Sequence, residues 1–126
     1  MAERPARFEG KVVFITGAAR GQGRSHAVKF ASEGAKIIGV DVCSDLPECY
    51  YPLATEADLA ETVKLVESAG GVMHAEVGDV RDLPRLREVV NAGYERFGRL
   101  DVIVANAGTY SPNPTQFLTS EQCGLA

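Results

Sequence analysis

Cysteine and positive charge are both in short supply in this chain. Its 126 residues hold three cysteines, Cys43, Cys49 and Cys123, an odd number with no Cys-x-x-C pair. That excludes a disulfide scaffold and a thiolate zinc cluster, and leaves free thiols as the expected state. A Cys43–Cys49 bridge is open on spacing alone, and a reducing cytosol disfavours it. Lys and Arg number 13 against 17 Asp and Glu, for a net charge of −4. Nucleic acids and anionic membranes are bound by clustered Lys and Arg, so neither is expected as a partner. No apolar run approaches the roughly 20 residues that span a bilayer. The first residues, MAERPARFEGK, are charged where a signal peptide would be apolar. A cytoplasmic protein is expected. His26 and His74 are not spaced as metal ligands, and Glu56, Asp58 and Glu61 read as a solvated helix face, so no metal site is expected. No internal repeat or low-complexity tract occurs.

What is present is an alternation of short β-rich runs with helical periodicity, in a length that suits one domain. Lys11–Thr16 (KVVFIT) and Lys36–Asp41 (KIIGVD) are continuous apolar runs, the pattern of strands buried on both faces. Between them Gly23, Ala27 and Ala31 stand at i, i+4 and i+8, a stripe of small residues that lets a helix backbone lie close to a sheet, and Gly34 ends that helix. Val42 to Ala54, with Pro47 and Pro52, is a long loop of the kind that tends to be functional. Thr55 with Asp58 makes a capping box, Leu59, Val63 and Val66 give the next helix its apolar face, and Gly70–Gly71 closes it. Val72–Asp79 is a third strand. Asp82-Leu-Pro starts a third helix, with Leu86, Val90 and Phe97 on its buried side, and Leu100–Ala105 is a fourth strand. The order β-α-β-α-β-α-β, with right-handed crossovers, predicts a Rossmann-type doubly wound parallel α/β sheet.

Open parallel sheets bind ligands beyond the carboxyl ends of their strands. After the first strand come Gly17, Arg20, Gly21, Gln22 and Gly23, a turn in which glycines let the backbone approach a pyrophosphate while a helix N-terminus offers free N–H groups. Asp41 closes the second strand 24 residues beyond Gly17, near where dinucleotide folds place the acid that takes both ribose hydroxyls. A carboxylate there would repel a 2′-phosphate, which favours NAD over NADP. Arg20 can contact phosphate or lie in solvent. Asp79 closes the third strand, able to meet an adenine amino group or to cap the following helix. Asn106, Ala107 and Gly108 follow the fourth strand, where the Asn106 amide can tie strand ends together. Ala18-x-x-x-x-Gly23-Arg24-Ser25 is a near miss to the P-loop that lacks its first Gly and its Lys, so ATP binding ranks below dinucleotide binding.

FEGKVVFITGAARGQGR resembles the TGxxxGxG turn of the short-chain dehydrogenase/reductases, and Asp41, Gly78-Asp79-Val80 and Asn106-Ala107-Gly108 follow in that family's order. The GQGRSHAV helix start and the segment from Val42 onward are similar to the carveol-dehydrogenase-like branch, which is associated with the redox cofactor mycofactocin. The resemblance implies NAD as cofactor, bound by Gly17, Arg20, Gly21, Gln22, Gly23, Asp41, Val42, Cys43, Asp79, Val80, Asn106, Ala107 and Gly108, with the long loop covering the adenine end and holding the cofactor tightly. It also implies oxidation of a small secondary alcohol to a ketone, and a homo-oligomer.

The family's acid/base group is a Tyr-x-x-x-Lys pair with an upstream Ser and a further Asn. Here Tyr50, Tyr51, Tyr94 and Tyr110 are followed four places on by Ala54, Thr55, Gly98 and Pro114. Without an ammonium to lower its pKa, a tyrosine does not serve as a base near neutral pH. The tail TSEQCGLA departs from the family's next apolar helix. The expectation is therefore the N-terminal, NAD-binding portion, residues 1–126, of a single Rossmann domain whose catalytic half is absent, inactive alone, with an unpaired apolar edge at VIVA and marginal stability. A stand-alone nucleotide-binding module is the alternative, ahead of a degenerate P-loop protein.

Overall fold

A computed structural model describes residues 6–47 and 49–109. The elements run β1 (Val12–Thr16), α1 (Gly21–Ser32), β2 (Lys36–Asp41), α2 (Glu56–Ser68), β3 (Met73–Val77), α3 (Leu83–Phe97) and β4 (Val102–Val104). All strand pairs are parallel, in the order β3-β2-β1-β4. From β1 the chain steps outward to β2 and β3, then returns to the other side of β1. That reversal opens a crevice at the carboxyl ends of β1 and β4, as the alternation of elements predicted.

Each crossover sets its helix against one face. On the α1 and α2 side, Val13, Ile15 and Ile37 of the sheet pack with Ala27, Ala31, Leu59 and Val66. On the α3 side, Val12, Phe14, Ile38 and Val40 pack with Val89. The small stripe of α1 is buried as its spacing implied, through Gly23, Ala27 and Ala31. Helix α2 begins on the expected capping box, with Asp58 N–H donating to Thr55 Oγ1 at 3.2 Å and Thr55 N–H to Asp58 Oδ2 at 2.8 Å.

Two helix faces are rotated from expectation. In α2 the buried set is Leu59, Thr62 and Val66, with Val63 half-buried, because the Thr62 hydroxyl finds partners inside. In α3 the buried pair is Val89 and Gly93, while Leu86, Val90 and Phe97 form a half-buried rim. Gly93 sits against the Ile38 side chain, so the helix axis lies closest to the sheet there. Strand β2 has the expected bounds, while β1, β3 and β4 are shorter than their apolar runs. Leu100 belongs to the α3-side core rather than to β4, and the carboxylate of Asp101 accepts the Val12 N–H at 2.9 Å. On the outer strand β4, Ile103 is 64% exposed. Cys43 and Cys49 are free thiols, and Cys123 lies outside the described residues. Among the described residues no helix is long and apolar enough to cross a membrane, and no cluster of His, Cys, Asp and Glu could hold a metal.

Candidate functional site

The turn after β1 folds over the end of β2. The N–H groups of Gly17 and Ala18 both donate to Val40 O, at 2.9 and 3.2 Å, and Ala19 N–H donates to Asp41 Oδ2 at 3.1 Å. Gly17 adopts φ +71°. A Cβ there would lie 2.9 Å from both Ala107 Cα and Asn106 Nδ2, so only hydrogen fits between the two turns. Gly23, in the first turn of α1, is packed more tightly still: its Cβ would run into the Gly17 carbonyl oxygen and come within 2.8 Å of Asn106 Nδ2.

Helix α1 begins without a side-chain cap and without an acidic residue in its first turn, whereas Thr55 caps α2 and Asp82 caps α3. The first N–H groups of α1 therefore keep their hydrogen-bonding capacity and the positive end of the helix dipole. Gly17, Gly21 and Gln22 line a cavity of about 530 Å³. Asp41 lines the same cavity and spends one bond per oxygen inside the protein, Oδ2 on Ala19 N–H and Oδ1 on Cys43 N–H at 3.2 Å. A carboxylate oxygen has two lone pairs, so each retains one acceptor site for a hydroxyl.

Across the crevice, Asn106 Nδ2 donates to Thr16 O at 3.1 Å and Gly17 O at 3.4 Å. This is the tie between strand ends that its amide suggested. Thr16 completes it: Oγ1 accepts from Asn106 N–H at 3.1 Å and Ala107 N–H at 3.0 Å. Thr16→Val removes that acceptor from Ala107 N–H, while Asn106 N–H keeps Val104 O at 3.0 Å, and should cost about 1 kcal/mol. A thermal melt of the variant should show a lower midpoint.

Of the residues singled out from sequence, Gly17, Arg20, Gly21, Gln22, Asp41, Val42, Val80, Asn106, Ala107 and Gly108 line the cavity. Gly23, Cys43 and Asp79 do not. Gly23 is buried beneath the turn. Cys43 shapes the loop with φ +52°. Its thiol is pushed up to about 11 by burial first and by Asp41, Glu56 and Asp58 next, so it is protonated at neutral pH and no nucleophile. Asp79 does not cap α3, a role that Asp82 takes through Arg85 N–H at 3.1 Å. Arg81 grips Asp79 instead, with Nη2 at 2.7 Å from Oδ2 and Nε at 3.1 Å from both oxygens, and these bonds hold the carboxyl below its usual range. Arg81 itself faces the cavity. Arg20 Nη2 donates to Pro52 O at 3.0 Å, fastening the turn to the long loop. Leu46, Leu53 and Ala54 of that loop, with Gly78 and Thr109, also line the cavity and were not singled out. The Gly78-Asp79-Val80 motif carried a signal for Gly78, while the loop residues carried none beyond their apolarity.

Residues 11–124 match the family described as short chain dehydrogenase. An uncharacterized oxidoreductase of Mycobacterium tuberculosis is 57% identical over 108 residues, 86% of this chain and 39% of its own length. The (-)-trans-carveol dehydrogenase of Rhodococcus erythropolis is 52% identical over 84% of this chain and 38% of its own. Among solved structures, carveol dehydrogenase from Mycobacterium avium in complex with NAD superposes with TM-score 0.83 at 50% identity, over 85% of this chain and 39% of that one. A short chain dehydrogenase from Mycobacterium paratuberculosis bound to NAD superposes with TM-score 0.86 at 54% identity, over 92% and 43%. The chain thus spans about two-fifths of the length of these relatives. A parallel sheet reversing at β1, a glycine turn locked by Asn106 and a match covering nearly every residue lead to one assignment: the chain belongs to the short chain dehydrogenase family.

Proposed function

We propose that this chain binds NAD in the crevice between β1 and β4, as the cofactor-holding part of a dehydrogenase acting on a small secondary alcohol. The observation that carries the reading is Asp41, whose two oxygens each hold one backbone N–H and keep one acceptor site toward the cavity. Two ribose hydroxyls suit that carboxylate, and a 2′-phosphate would meet its charge. The uncapped start of α1 suits a pyrophosphate, Gly21, with nothing within 4 Å of a would-be Cβ, leaves room for its close approach, and Gly17 and Gly23 let the turn and α1 close on Asn106 beneath it. Leu46, Leu53 and Ala54 wall the cavity beside Asp41, and the Arg20 bond to Pro52 O holds that wall against the turn, which favours tight retention.

Bound nicotinamide supplies a hydride acceptor. The residues of this chain would orient it and hold the Asp41 carboxyl in place through Ala19 N–H and Cys43 N–H, and they do not include a base for the alcohol proton, since no Tyr in the 126 residues has Lys four places on. Turnover accordingly belongs to a protein that also contains such a pair. The class of alcohol rests on likeness to carveol dehydrogenases, at 50% and 52% identity over this stretch. A reducing, cytoplasmic setting accords with the free thiols of Cys43 and Cys49, and self-assembly is proposed on family membership alone.

Competition tests the reading. NADH fluorescence enhanced by the chain should be displaced by NAD and not by equimolar ATP. Displacement by ATP in preference to NAD would favour the P-loop alternative.

A further inference from the structure

Beside the glycine turn lies a part-buried polar network whose members do not line the cavity. Arg24 Nη2 donates to Ala19 O and to Asp58 O, both at 2.8 Å, and its Nε donates to Thr62 Oγ1 at 3.0 Å. The Thr62 hydroxyl, fully buried, directs its proton to Ala19 O at 3.1 Å, with Asp58 O the other acceptor in reach at 3.3 Å. A half-buried arginine ordinarily pairs with a carboxylate. These bonds go to two backbone carbonyls and a hydroxyl, and they join the turn to α2.

Ala19 is the junction. Its carbonyl is held by Arg24 and Thr62, and its N–H is the donor that meets Asp41 Oδ2 at 3.1 Å. Ala19 is itself fully buried, so the two peptides that flank its Cα are set by these bonds and the core around it. The carbonyl lies in the peptide shared with Arg20 and the N–H in the peptide shared with Ala18, and the two meet at the Ala19 Cα, so a released carbonyl shifts that Cα and, through it, the N–H that holds the carboxylate. We propose that Arg24 and Thr62 are positioning residues for Asp41: by fixing Ala19 they aim the carboxylate and thereby set the preference for a ribose 2′-hydroxyl over a 2′-phosphate. This rests on the NAD reading above.

The discriminating readout is the ratio of NADPH to NADH dissociation constants, measured by fluorescence titration of the full chain. Arg24→Met keeps the aliphatic stem and removes the donors. Thr62→Val keeps the shape and removes the hydroxyl, and it remains informative where Arg24→Met does not fold. Each should lower the ratio about tenfold, the equivalent of one well-aligned hydrogen bond to a charged group, mostly through weaker NADH binding. Val89→Ala, on the α3 side of the sheet, loosens the core without touching Ala19 and should leave the ratio unchanged. An unchanged ratio in Thr62→Val, or an equal fall in Val89→Ala, overturns the positioning role while NADH binding by the unaltered chain stands. Failure of the unaltered chain to bind NADH overturns the NAD reading and this inference with it.

Discussion

Alanine at Gly23 should abolish NADH binding and lower the melting temperature by about 10 °C. The new methyl would overlap the Gly17 carbonyl oxygen, a backbone atom fixed because Ala18 N–H, in the same peptide, is bonded to Val40 O at 3.2 Å. The other near atom, Asn106 Nδ2 at 2.8 Å, is itself tied to Thr16 O and Gly17 O, so neither side can give. Forcing one methylene into a rigid contact costs about 3 kcal/mol, and in a chain of this size that corresponds to roughly 10 °C. Relief requires α1 to move off the turn, which takes its first N–H groups away from the cavity. Gly21→Ala is the informative contrast. Gly21 has φ +59° but nothing within 4 Å of its would-be Cβ, so only the left-handed backbone is penalised, by about 1–2 kcal/mol. A circular dichroism melt of the two variants should order them accordingly.

Asp41→Ala should weaken NADH binding about 10- to 100-fold while NADPH binding changes little. Hydrogen bonds to a charged group contribute about 1.5–3 kcal/mol, and the substitution removes two acceptor sites that face the cavity. It also strips Ala19 N–H and Cys43 N–H of their partner, so part of the loss comes from a loosened turn. NADPH gains from removal of the negative charge what it loses in ordering. Equal losses for both nucleotides would show that Asp41 holds the turn without meeting the ribose.

Much of this site was legible in the chain. Strand ends are local features: Gly17, Asp41 and Asn106 each sit one residue or two past an apolar run, and the sheet brings such positions together whatever the loops do. The alternation also identified the order of elements, though not every boundary, because an apolar run takes in positions such as Leu100 that fill the core from outside the ladder. Thr16 was not recognised as a site residue, since its hydroxyl matters only through N–H groups 90 residues away. Thr62 was missed for a related reason: a threonine between two apolar positions breaks the stripe, and its burial makes sense only once Ala19 O stands opposite. Asp79 shows the converse. The motif was plain, yet Arg81, two residues on, bonds both oxygens of that carboxylate and itself lines the cavity.

Backbone amide shifts give the most direct check that the crevice holds NAD. On titrating the isotopically labelled chain with NAD, the largest changes should fall on Gly17, Gly21, Asp41, Gly78, Val80 and the stretch from Asn106 to Gly108, saturating together. Changes centred instead on the smaller cavity of about 240 Å³ beside Phe8 and Phe30, or no saturable change at all, would contradict the account.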